Sequence, residues 1–259
     1  MSDAFTSHGY CPTIYGPVES RRHGLSLGIN LGLVDQKVCT WGCLYCQCGM
    51  GQRREFESSE SRPTANEVLK LLELKLQTLS KLDSITFAGN TEPTTHPEFG
   101  TIVEGALNLR GRYHPKCIVN ILSNGSELES EGVVAACNKL DESWIKLDCA
   151  LDGLFLKLNR PLEKVGSTEK HVERVQKLNK IYIQTILWLC DDKPELANSS
   201  PENLKALLEA YKKIRPIKIH VTTIARKPAV EKLGPVTEAL LASFVSTLRD
   251  HGFTTEYFI

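Results

Sequence analysis

Hydrophobic positions in this chain alternate between short apolar runs and longer segments with one apolar face. The apolar runs predict strands at 27–33, 84–88, 117–122, 144–147, 181–189 and 217–222. The segments between them predict helices near 64–79, 99–109, 128–140 and 168–178, from 200 onward and at 237–250. This alternation is typical of a parallel sheet with helices packed outside it. Six such units, fewer than a closed barrel needs, predict an α/β fold: a partial (β/α)6 barrel of the TIM type.

Residues that begin and end helices support these boundaries. Thr64 and Glu67 have the spacing of a capping box at the start of the first helix. Ser200 is placed to cap a helix whose first residue is Pro201. Gly252 follows the last helix, where a glycine commonly ends one.

Neither a repeat nor a linker divides the 259 residues. We therefore predict a single domain over 1–259, with an N-terminal extension at 1–26, the partial barrel at 27–252 and a loop at 36–50. In parallel barrels the chemistry collects at the carboxyl ends of the strands.

Charge and composition narrow the classes of function. The 31 basic and 31 acidic residues balance, which gives no reason to expect a broad nucleic-acid or membrane surface. No apolar run approaches the roughly 18 residues of a membrane span, and the N-terminus lacks the pattern of a signal peptide. We expect a soluble, cytoplasmic protein. Nine cysteines, three of them within eight residues, suggest metal binding rather than disulfides.

The cysteine run is Cys39-Thr-Trp-Gly-Cys43-Leu-Tyr-Cys46, in a loop that follows the first predicted strand. Three thiolates can hold three irons of a [4Fe-4S] cluster and leave the fourth iron open. A zinc site or three unrelated buried cysteines is the alternative. Cys48 could compete as a ligand, but the three-cysteine spacing is complete without it. Five scattered cysteines are expected to be buried hydrophobic residues: Cys11, Cys117, Cys137, Cys149 and Cys190.

With Tyr45 as the aromatic residue before the third cysteine, this run resembles the signature of the radical S-adenosylmethionine (SAM) superfamily. The segments 16–30 and 87–94 resemble a branch related to wyosine-type tRNA base synthases. The similarity continues through 123–125, 146–148, 159–161 and 226–228, so it covers nearly the whole chain.

The resemblance implies two cofactors, a [4Fe-4S] cluster and SAM, and reductive cleavage of SAM to a 5′-deoxyadenosyl radical that abstracts a substrate hydrogen. Gly89, Asn90, Thr91 and Glu92 match the family's glycine-rich motif, whose backbone holds the SAM amine, with Thr91 in place of the usual second glycine. A side chain at Gly89 would then fill the space of the methionyl group. The alternative is an ordinary turn that uses Gly and Asn for positive φ.

Polar residues near the ends of later strands complete the predicted SAM site. Ser123 and Asn124 match family positions that face the SAM carboxylate and ribose, although Asn-Gly is also a common turn. Lys146 and Asp148 can both face the barrel interior and bind SAM or substrate, or simply pair with each other. Gln184 interrupts an apolar strand and needs a polar partner, either SAM or internal water. His220 and Thr222, which share one face of the sixth strand, are open to the same two interpretations.

The substrate is the most open question. Neutral charge favours a small molecule, the wyosine-type resemblance favours a tRNA base, and a protein or glycyl-radical partner is a third choice. Arg21 and Arg22 could meet an anionic substrate, and with Arg53 and Arg54 they could form a basic rim for tRNA. A non-catalytic iron–sulfur carrier is the alternative of another class. No flavodoxin-like segment is present, so a separate flavodoxin or ferredoxin would supply electrons.

Overall fold

The computed structural model describes residues 10–259 and contains the six predicted strands in one curled sheet. Its strands are β1 (Ile14–Ser20), β2 (Gly24–Ile29), β5 (Ser84–Phe87), β6 (Ile118–Ser123), β7 (Glu142–Lys146), β8 (Tyr182–Leu189), β9 (Lys218–Thr223), β10 (Gly234–Pro235) and β11 (Thr255–Phe258). A separate pair, β3 (Val38–Cys39) and β4 (Gln52–Arg53), lies in the cysteine loop.

The order of the sheet follows the chain. It runs β1-β2-β5-β6-β7-β8-β9-β11, and neighbours from β2 to β11 are parallel. β1 is antiparallel to β2, and β10 is antiparallel to β8. The helices are α1 (Ala65–Thr78), α2 (Phe99–Tyr113), α3 (Glu131–Lys139), α4 (Asp152–Leu154), α5 (Thr168–Val175), α6 (Pro201–Ile214) and α7 (Glu238–Asp250). A π-helical turn, Phe155–Asn159, continues α4, and single 3-10 turns occur at Pro93–Thr95, Glu163–Val165 and Pro194–Leu196.

The two faces of the sheet differ in polarity because successive side chains on a strand point to opposite sides. One set is apolar and packs with the helices in a continuous core; it includes Leu27, Ile85, Val119, Ile183 and Ile219. The other set faces the concave side and is largely polar. The result is an α/β half-barrel whose interior is lined by polar groups.

The predicted helix ends are confirmed. Thr64 Oγ1 accepts from the Glu67 backbone N–H at 3.3 Å, and the Glu67 carboxylate accepts from the Thr64 N–H at 2.8 Å. Ser200 caps α6, which begins at Pro201. Gly252 follows α7 with φ of +85°, a conformation that favours glycine.

Several predicted boundaries were wrong. The first barrel strand runs over Gly24–Ile29, not 27–33, because the chain after Ile29 turns away to enter the cysteine loop. α3 and α5 are shorter than the helices predicted at 128–140 and 168–178. β1 and β11 lie outside the predicted 27–252 barrel and extend the sheet on both sides. Of the predicted N-terminal extension, residues 1–9 lie outside the described part.

Within residues 10–259, no helix is both long and apolar enough to cross a membrane.

Candidate active site

The cysteine loop lies over the carboxyl end of the sheet and is held by the π-helical turn. Gly42 N–H donates to the Arg160 carbonyl and Leu44 N–H to the Leu158 carbonyl, each at 3.0 Å. Arg160 ends the turn in a left-handed conformation, with φ of 49°. These bonds fix the backbone on both sides of Cys43, so its position depends on a segment more than a hundred residues away.

An apolar layer supports the loop from below. Trp41 and Phe155 meet edge to face, with ring centroids 5.1 Å apart. The other buried members of this layer are Leu44, Cys149, Leu158, Val165, Trp188, Cys190 and Leu233. The layer excludes water from one side of the loop. Cys149 and Cys190 belong to it, and Cys11, Cys117 and Cys137 are buried elsewhere, so these five cysteines are buried as predicted.

Cys39, Cys43 and Cys46 are each half-buried, and neutral amide groups face two of their sulfurs. Asn124 Nδ2 lies 3.8 Å from Cys39 Sγ, and Asn159 Nδ2 lies 3.9 Å from Cys43 Sγ. Burial raises the pKa of Cys39 to about 11 and that of Cys43 to about 12. These two sulfurs therefore lie in a dry environment that contains hydrogen-bond donors.

Cys46 has different neighbours. A hydrogen bond from Cys48 is the main cause that holds the pKa of Cys46 well below its usual value, and Lys37 adds to this effect. Cys48 Sγ also lies 3.5 Å from the Gly89 carbonyl. Lys37 is buried and donates to the Gly49 carbonyl. Cys48 thus contacts both the cysteine loop and the Gly89 segment.

The donor set fits an iron–sulfur cluster. One loop carries three thiols, and amide N–H donors lie beside two of the three sulfurs. Thiolate ligands with hydrogen bonds to sulfur are typical of iron–sulfur sites. Among residues 10–259, no three His, Cys, Asp or Glu side chains close tightly around the position of a single metal ion.

Gly89 follows β5 and is packed against Asn30. A Cβ at Gly89 would lie 2.1 Å from Asn30 Oδ1 and 2.8 Å from Asn30 Cβ. Its φ is not positive, so the turn explanation for this glycine is wrong. Asn30 is fully buried; it donates to the Cys11 carbonyl at 2.8 Å and accepts from the Asn90 N–H at 3.3 Å. The close approach to Asn30 is by itself a reason for glycine here.

Asn90 and Thr91 have different environments. Asn90 Nδ2 donates to the carbonyls of Leu33 and Gln36, at 2.7 and 3.1 Å, and so braces the chain that enters the cysteine loop. The Thr91 hydroxyl is buried without a hydrogen-bond partner among the residues that the structure describes. A buried hydroxyl needs a partner, which makes Thr91 a candidate to contact a bound cofactor.

Glu92 joins two of the predicted SAM segments. Its buried carboxylate accepts from the Ser123 hydroxyl at 2.7 Å, the Asn124 N–H at 2.6 Å and the Thr94 hydroxyl at 2.6 Å. Burial raises the pKa of Glu92, and these hydrogen bonds oppose that rise. The Ser123 hydroxyl also accepts from the Gly125 N–H at 2.9 Å. Glu92 and Ser123 therefore use their polar atoms within the protein.

Asn124 connects the end of β6 to the cysteine loop. Its Nδ2 donates to Thr40 Oγ1 at 2.9 Å, in addition to its contact with Cys39. Its Oδ1 accepts from the Ser126 N–H at 2.9 Å, and Gly125 has φ of +73°. The Asn-Gly turn and the contact with the loop are both present.

Asp148 is the centre of a buried network. It pairs with Lys146 Nζ at 2.9 Å and accepts from the Tyr45 hydroxyl at 2.7 Å. It also accepts from Asn159 Nδ2 and the Ile186 N–H, both at 2.9 Å. Lys146 and Asp148 pair with each other, which is one of the two interpretations given from the sequence. Through Tyr45 and Ile186, Asp148 also links the cysteine loop to β8.

Gln184 lies on the concave face, in register with Lys146 on β7 and His220 on β9. With its amide oxygen turned to the guanidinium, it accepts from Arg22 Nη2 at 3.2 Å. The polar partner predicted for Gln184 thus includes a protein side chain. The Thr222 hydroxyl bonds the Thr185 carbonyl at 3.4 Å.

Two of the four arginines of the predicted basic rim bond within the protein. Arg54 makes two bonds to the Glu60 carboxylate, at 2.6 and 2.8 Å. Arg53 Nη1 donates to the Pro161 carbonyl at 3.1 Å. The charge of Arg54 is therefore paired with a carboxylate, whereas Arg53 uses only one of its N–H donors.

Three residues of the site were missed from the sequence: Asn30, Lys37 and Asn159. Asn30 and Asn159 each stood in a segment of family resemblance, 16–30 and 159–161, and this was the signal that could have suggested a role. Lys37 gave no such signal, because its role depends on its contact with Cys46.

Comparison with known proteins agrees with this arrangement. A family model described as the Radical SAM superfamily matches residues 33–192, more than half of the chain. The chain belongs to the radical SAM superfamily. Its cofactors are accordingly a [4Fe-4S] cluster and SAM.

Two relatives of this radical SAM chain are named UPF0026 proteins. One, from Helicobacter pylori strain J99, is 28% identical over 221 residues, covering 83% of this chain and 67% of the relative. The other, from Methanocaldococcus jannaschii, is 29% identical over 237 residues, covering 85% of this chain and 66% of the relative. The chain spans about two thirds of the length of these relatives.

Solved structures share the radical SAM fold at low identity. Streptococcus suis SuiB bound to S-adenosylmethionine has a TM-score of 0.61 at 14% identity, covering 86% of this chain and 49% of SuiB. A spore photoproduct lyase mutant has a TM-score of 0.59 at 9% identity, covering 94% of this chain and 79% of that protein. These likenesses confirm the half-barrel predicted from the sequence.

Proposed function

We propose that Cys39, Cys43 and Cys46 hold three irons of the [4Fe-4S] cluster and leave the fourth for SAM. The observation that carries the proposal is the convergence at the strand ends: the cysteine loop contacts Gly89 through Cys48 and contacts Asn124 through Thr40 and Cys39. A carrier protein has no use for such a second segment beside its cluster.

When bound and reduced, these cofactors supply a 5′-deoxyadenosyl radical by cleavage of SAM. The chain's own part is to position the cofactor and exclude water. The backbone of Gly89, Asn90 and Thr91 is proposed to hold the SAM amine, with the Thr91 hydroxyl as an additional contact. Glu92 and Ser123 position that segment through their mutual bond, and Asn124 fixes Thr40 beside Cys39.

Tyr45, Lys146 and Asp148 are proposed to line the space between cofactor and substrate. Asp148 holds the Tyr45 hydroxyl and the Lys146 ammonium, so the pair presents no net charge. Gln184 extends this lining toward Arg22. We propose positioning roles for these residues.

Partners and location follow from the same chemistry. A separate flavodoxin or ferredoxin is proposed as the reductant. All nine cysteines are unpaired, and cluster assembly needs reduced thiols, which supports a reducing compartment such as the cytoplasm. Residues 27–252, with the flanking strands β1 and β11, are proposed as the catalytic domain.

A small molecule is the proposed substrate. The relatives' name, UPF0026, states no reaction, and the wyosine-type assignment stays a hypothesis. Arg53 bonds the Pro161 carbonyl and Arg54 bonds the Glu60 carboxylate, which argues against a tRNA-binding rim that includes these two arginines. SuiB has also been solved with its precursor peptide SuiA, so a peptide is the second choice.

The test is release of 5′-deoxyadenosine by anaerobically reconstituted protein given SAM and dithionite. The wild type should release it, and Cys43→Ala should lose both bound iron and product. Cys48→Ala is the matched control, one thiol from the same loop, and should keep both. Iron binding without any product would support the carrier function instead, and equal loss in Cys48→Ala would overturn the ligand assignment.

A further inference from the structure

The concave face of the half-barrel carries polar side chains from six strands. Paired register places Thr86 beside Asn120, and Gln184 between Lys146 and His220. The polar residues of this face are Ser26, Thr86, Asn120, Lys146, Gln184 and His220. We call this polar interior of the half-barrel the chamber.

Part of the chamber lacks protein partners. Asn120 is fully buried, yet neither its amide nitrogen nor its amide oxygen has a partner within residues 10–259. By contrast, the Ser26 and Thr86 hydroxyls bond each other at 2.8 Å. Buried amides are nearly always hydrogen bonded, so the chamber is suited to a polar occupant.

Three arginines gather at this chamber. Arg22, in the β1–β2 turn, is half-buried against Gln184, and its neighbour Arg21 is exposed. Arg226, after β9, is exposed and donates to Gln47 of the cysteine loop at 3.0 Å. The group therefore has one arginine inside and two at the mouth.

These charges lack a counter-ion. Burial, followed by the nearby Arg21 and Arg226, lowers the pKa of Arg22 to about 10, so Arg22 still carries its charge at neutral pH. In the part of the chain that the structure describes, no carboxylate lies within ion-pair distance of any of the three. Like charges brought together at a partly dry site are unfavourable unless an anion joins them.

The neighbouring surface is aromatic, with the carboxylates of Glu142 and Glu256 at its edge. Trp144 and His220 stack with ring centroids 3.7 Å apart and an interplanar angle of 21°. Burial lowers the pKa of His220 to about 3, so it is neutral near pH 7. Lys146 is paired with Asp148 and Lys218 with Glu256, so the positive charge near the chamber that lacks a carboxylate partner is that of the arginines.

We propose that the chamber binds the anionic group, a phosphate or carboxylate, of a small organic substrate through Arg22, with Arg21 and Arg226 at the mouth. The inference rests on the proposed function, because it is the SAM site at the strand ends that makes the chamber a substrate site. Arg22 is half-buried, whereas Arg21 and Arg226 are exposed, so Arg22 is the least accessible of the three to a group that stays on the surface. A nucleic-acid backbone tracking the rim would contact Arg21 and Arg226 and miss Arg22.

The experiment measures binding of inorganic phosphate and of acetate to the full chain by calorimetry and thermal unfolding, against chloride at equal ionic strength. The probe that binds more tightly shows whether the chamber prefers a phosphate or a carboxylate. Arg22→Gln should weaken binding at least about 10-fold, or about 1.4 kcal/mol. Arg54→Gln, which removes an arginine already paired with Glu60, is the matched control and should bind as the wild type does. Should Arg22→Gln fold poorly, Arg21→Gln/Arg226→Gln changes only exposed residues and should weaken binding several-fold.

Three results would overturn the proposal. The first is anion binding that is absent or unaffected in both arginine variants. The second is competition between SAM and phosphate, which would assign the arginines to the SAM carboxylate. The third is salt-sensitive binding of bulk tRNA that Arg22→Gln abolishes. Release of 5′-deoxyadenosine is measured separately, so its presence without anion binding refutes only this inference, and its absence refutes the proposed function.

Discussion

A methyl group at Gly89 tests whether the glycine is required by the protein's own packing. In Gly89→Ala the new Cβ would lie 2.1 Å from Asn30 Oδ1, 2.6 Å from Asn30 Cγ and 2.8 Å from Asn30 Cβ. Rotating the amide cannot relieve the contact, because Asn30 Cβ is itself too close. The whole Asn30 side chain must move, and it is fully buried.

The expected cost has two parts. Overpacking of a tight interior costs about 1–3 kcal/mol. Displacing Asn30 also weakens its bonds to the Cys11 carbonyl and to the N–H groups of Gly32 and Asn90, now 2.8, 3.3 and 3.3 Å long. Leaving one such buried group unsatisfied costs about 1–3 kcal/mol. We expect Gly89→Ala to lower the free energy of unfolding by about 2–5 kcal/mol.

Urea unfolding of the cluster-free chain, followed by far-UV circular dichroism, measures this loss. Gly111→Ala is the control: it lies in α2, a Cβ there meets nothing within 4 Å, and it should stabilise the protein by about 0.5–1 kcal/mol. Asn30→Ala destabilises by itself, but Gly89→Ala/Asn30→Ala should cost at least about 1 kcal/mol less than the sum of the single changes. Additivity within about 0.5 kcal/mol would refute the steric explanation. SAM binding to the double variant then tests the separate requirement for space beside the methionyl group.

Two further predictions concern buried charge. Asp148→Asn leaves Lys146, whose side chain is 14% exposed, without its counter-ion, so the free energy of unfolding should fall by about 3 kcal/mol. Asp192→Asn, in the exposed pair with Lys232, is the control and should change it by under about 1 kcal/mol. Similar effects of the two substitutions in urea unfolding would contradict this prediction. Burial lowers the pKa of His171 to about 4, so the unfolded chain binds a proton that the folded chain refuses, and this residue alone should lower stability by about 3 kcal/mol as pH drops from about 6.5 to 4. His23 and His220, whose pKa values burial also lowers, remain in His171→Gln, so the substitution should reduce the slope of unfolding free energy against pH without removing it, and an unchanged slope would contradict the assignment.

Local chemistry explains which parts of the fold could be predicted. The capping pair Thr64 and Glu67, and Pro201 at the start of α6, act within a few residues, so their signals are complete in the sequence. Apolar runs long enough to cross the sheet also identify themselves. β11 lacks such a run, since Thr255–Phe258 is short and mixed, and its membership of the sheet depends on pairing with β9.

The site, like the fold, has parts that the sequence predicts and parts that depend on distant contacts. The three cysteines were singled out by their spacing, and the Gly89 segment by its resemblance to the family's glycine-rich motif. The partners that hold them come from distant segments: Asn159 reaches Cys43 across 116 positions, and Asn124 reaches Cys39 across 85. No local pattern encodes such contacts. Glu92 was predicted from its place in a motif, and its carboxylate is bonded within the protein, so a cofactor contact from this residue stays a prediction.

The residues that position the cysteine loop share one chemical property. Asn30, Asn90 and Asn124, which follow strands, and Asn159, in the π-helical turn, all use neutral amides. A loop that holds three thiolates and a cluster concentrates negative charge, and the nearby carboxylates of Glu92 and Asp148 already help to raise the pKa of Cys39 and Cys43. Amides supply donors without adding charge, and N–H groups directed at sulfur favour the electron-rich state that reduction of a cluster requires. On the proposed ligand set, the contacts at Cys39 and Cys43 therefore position the loop and make reduction easier, which a purely apolar support could not do.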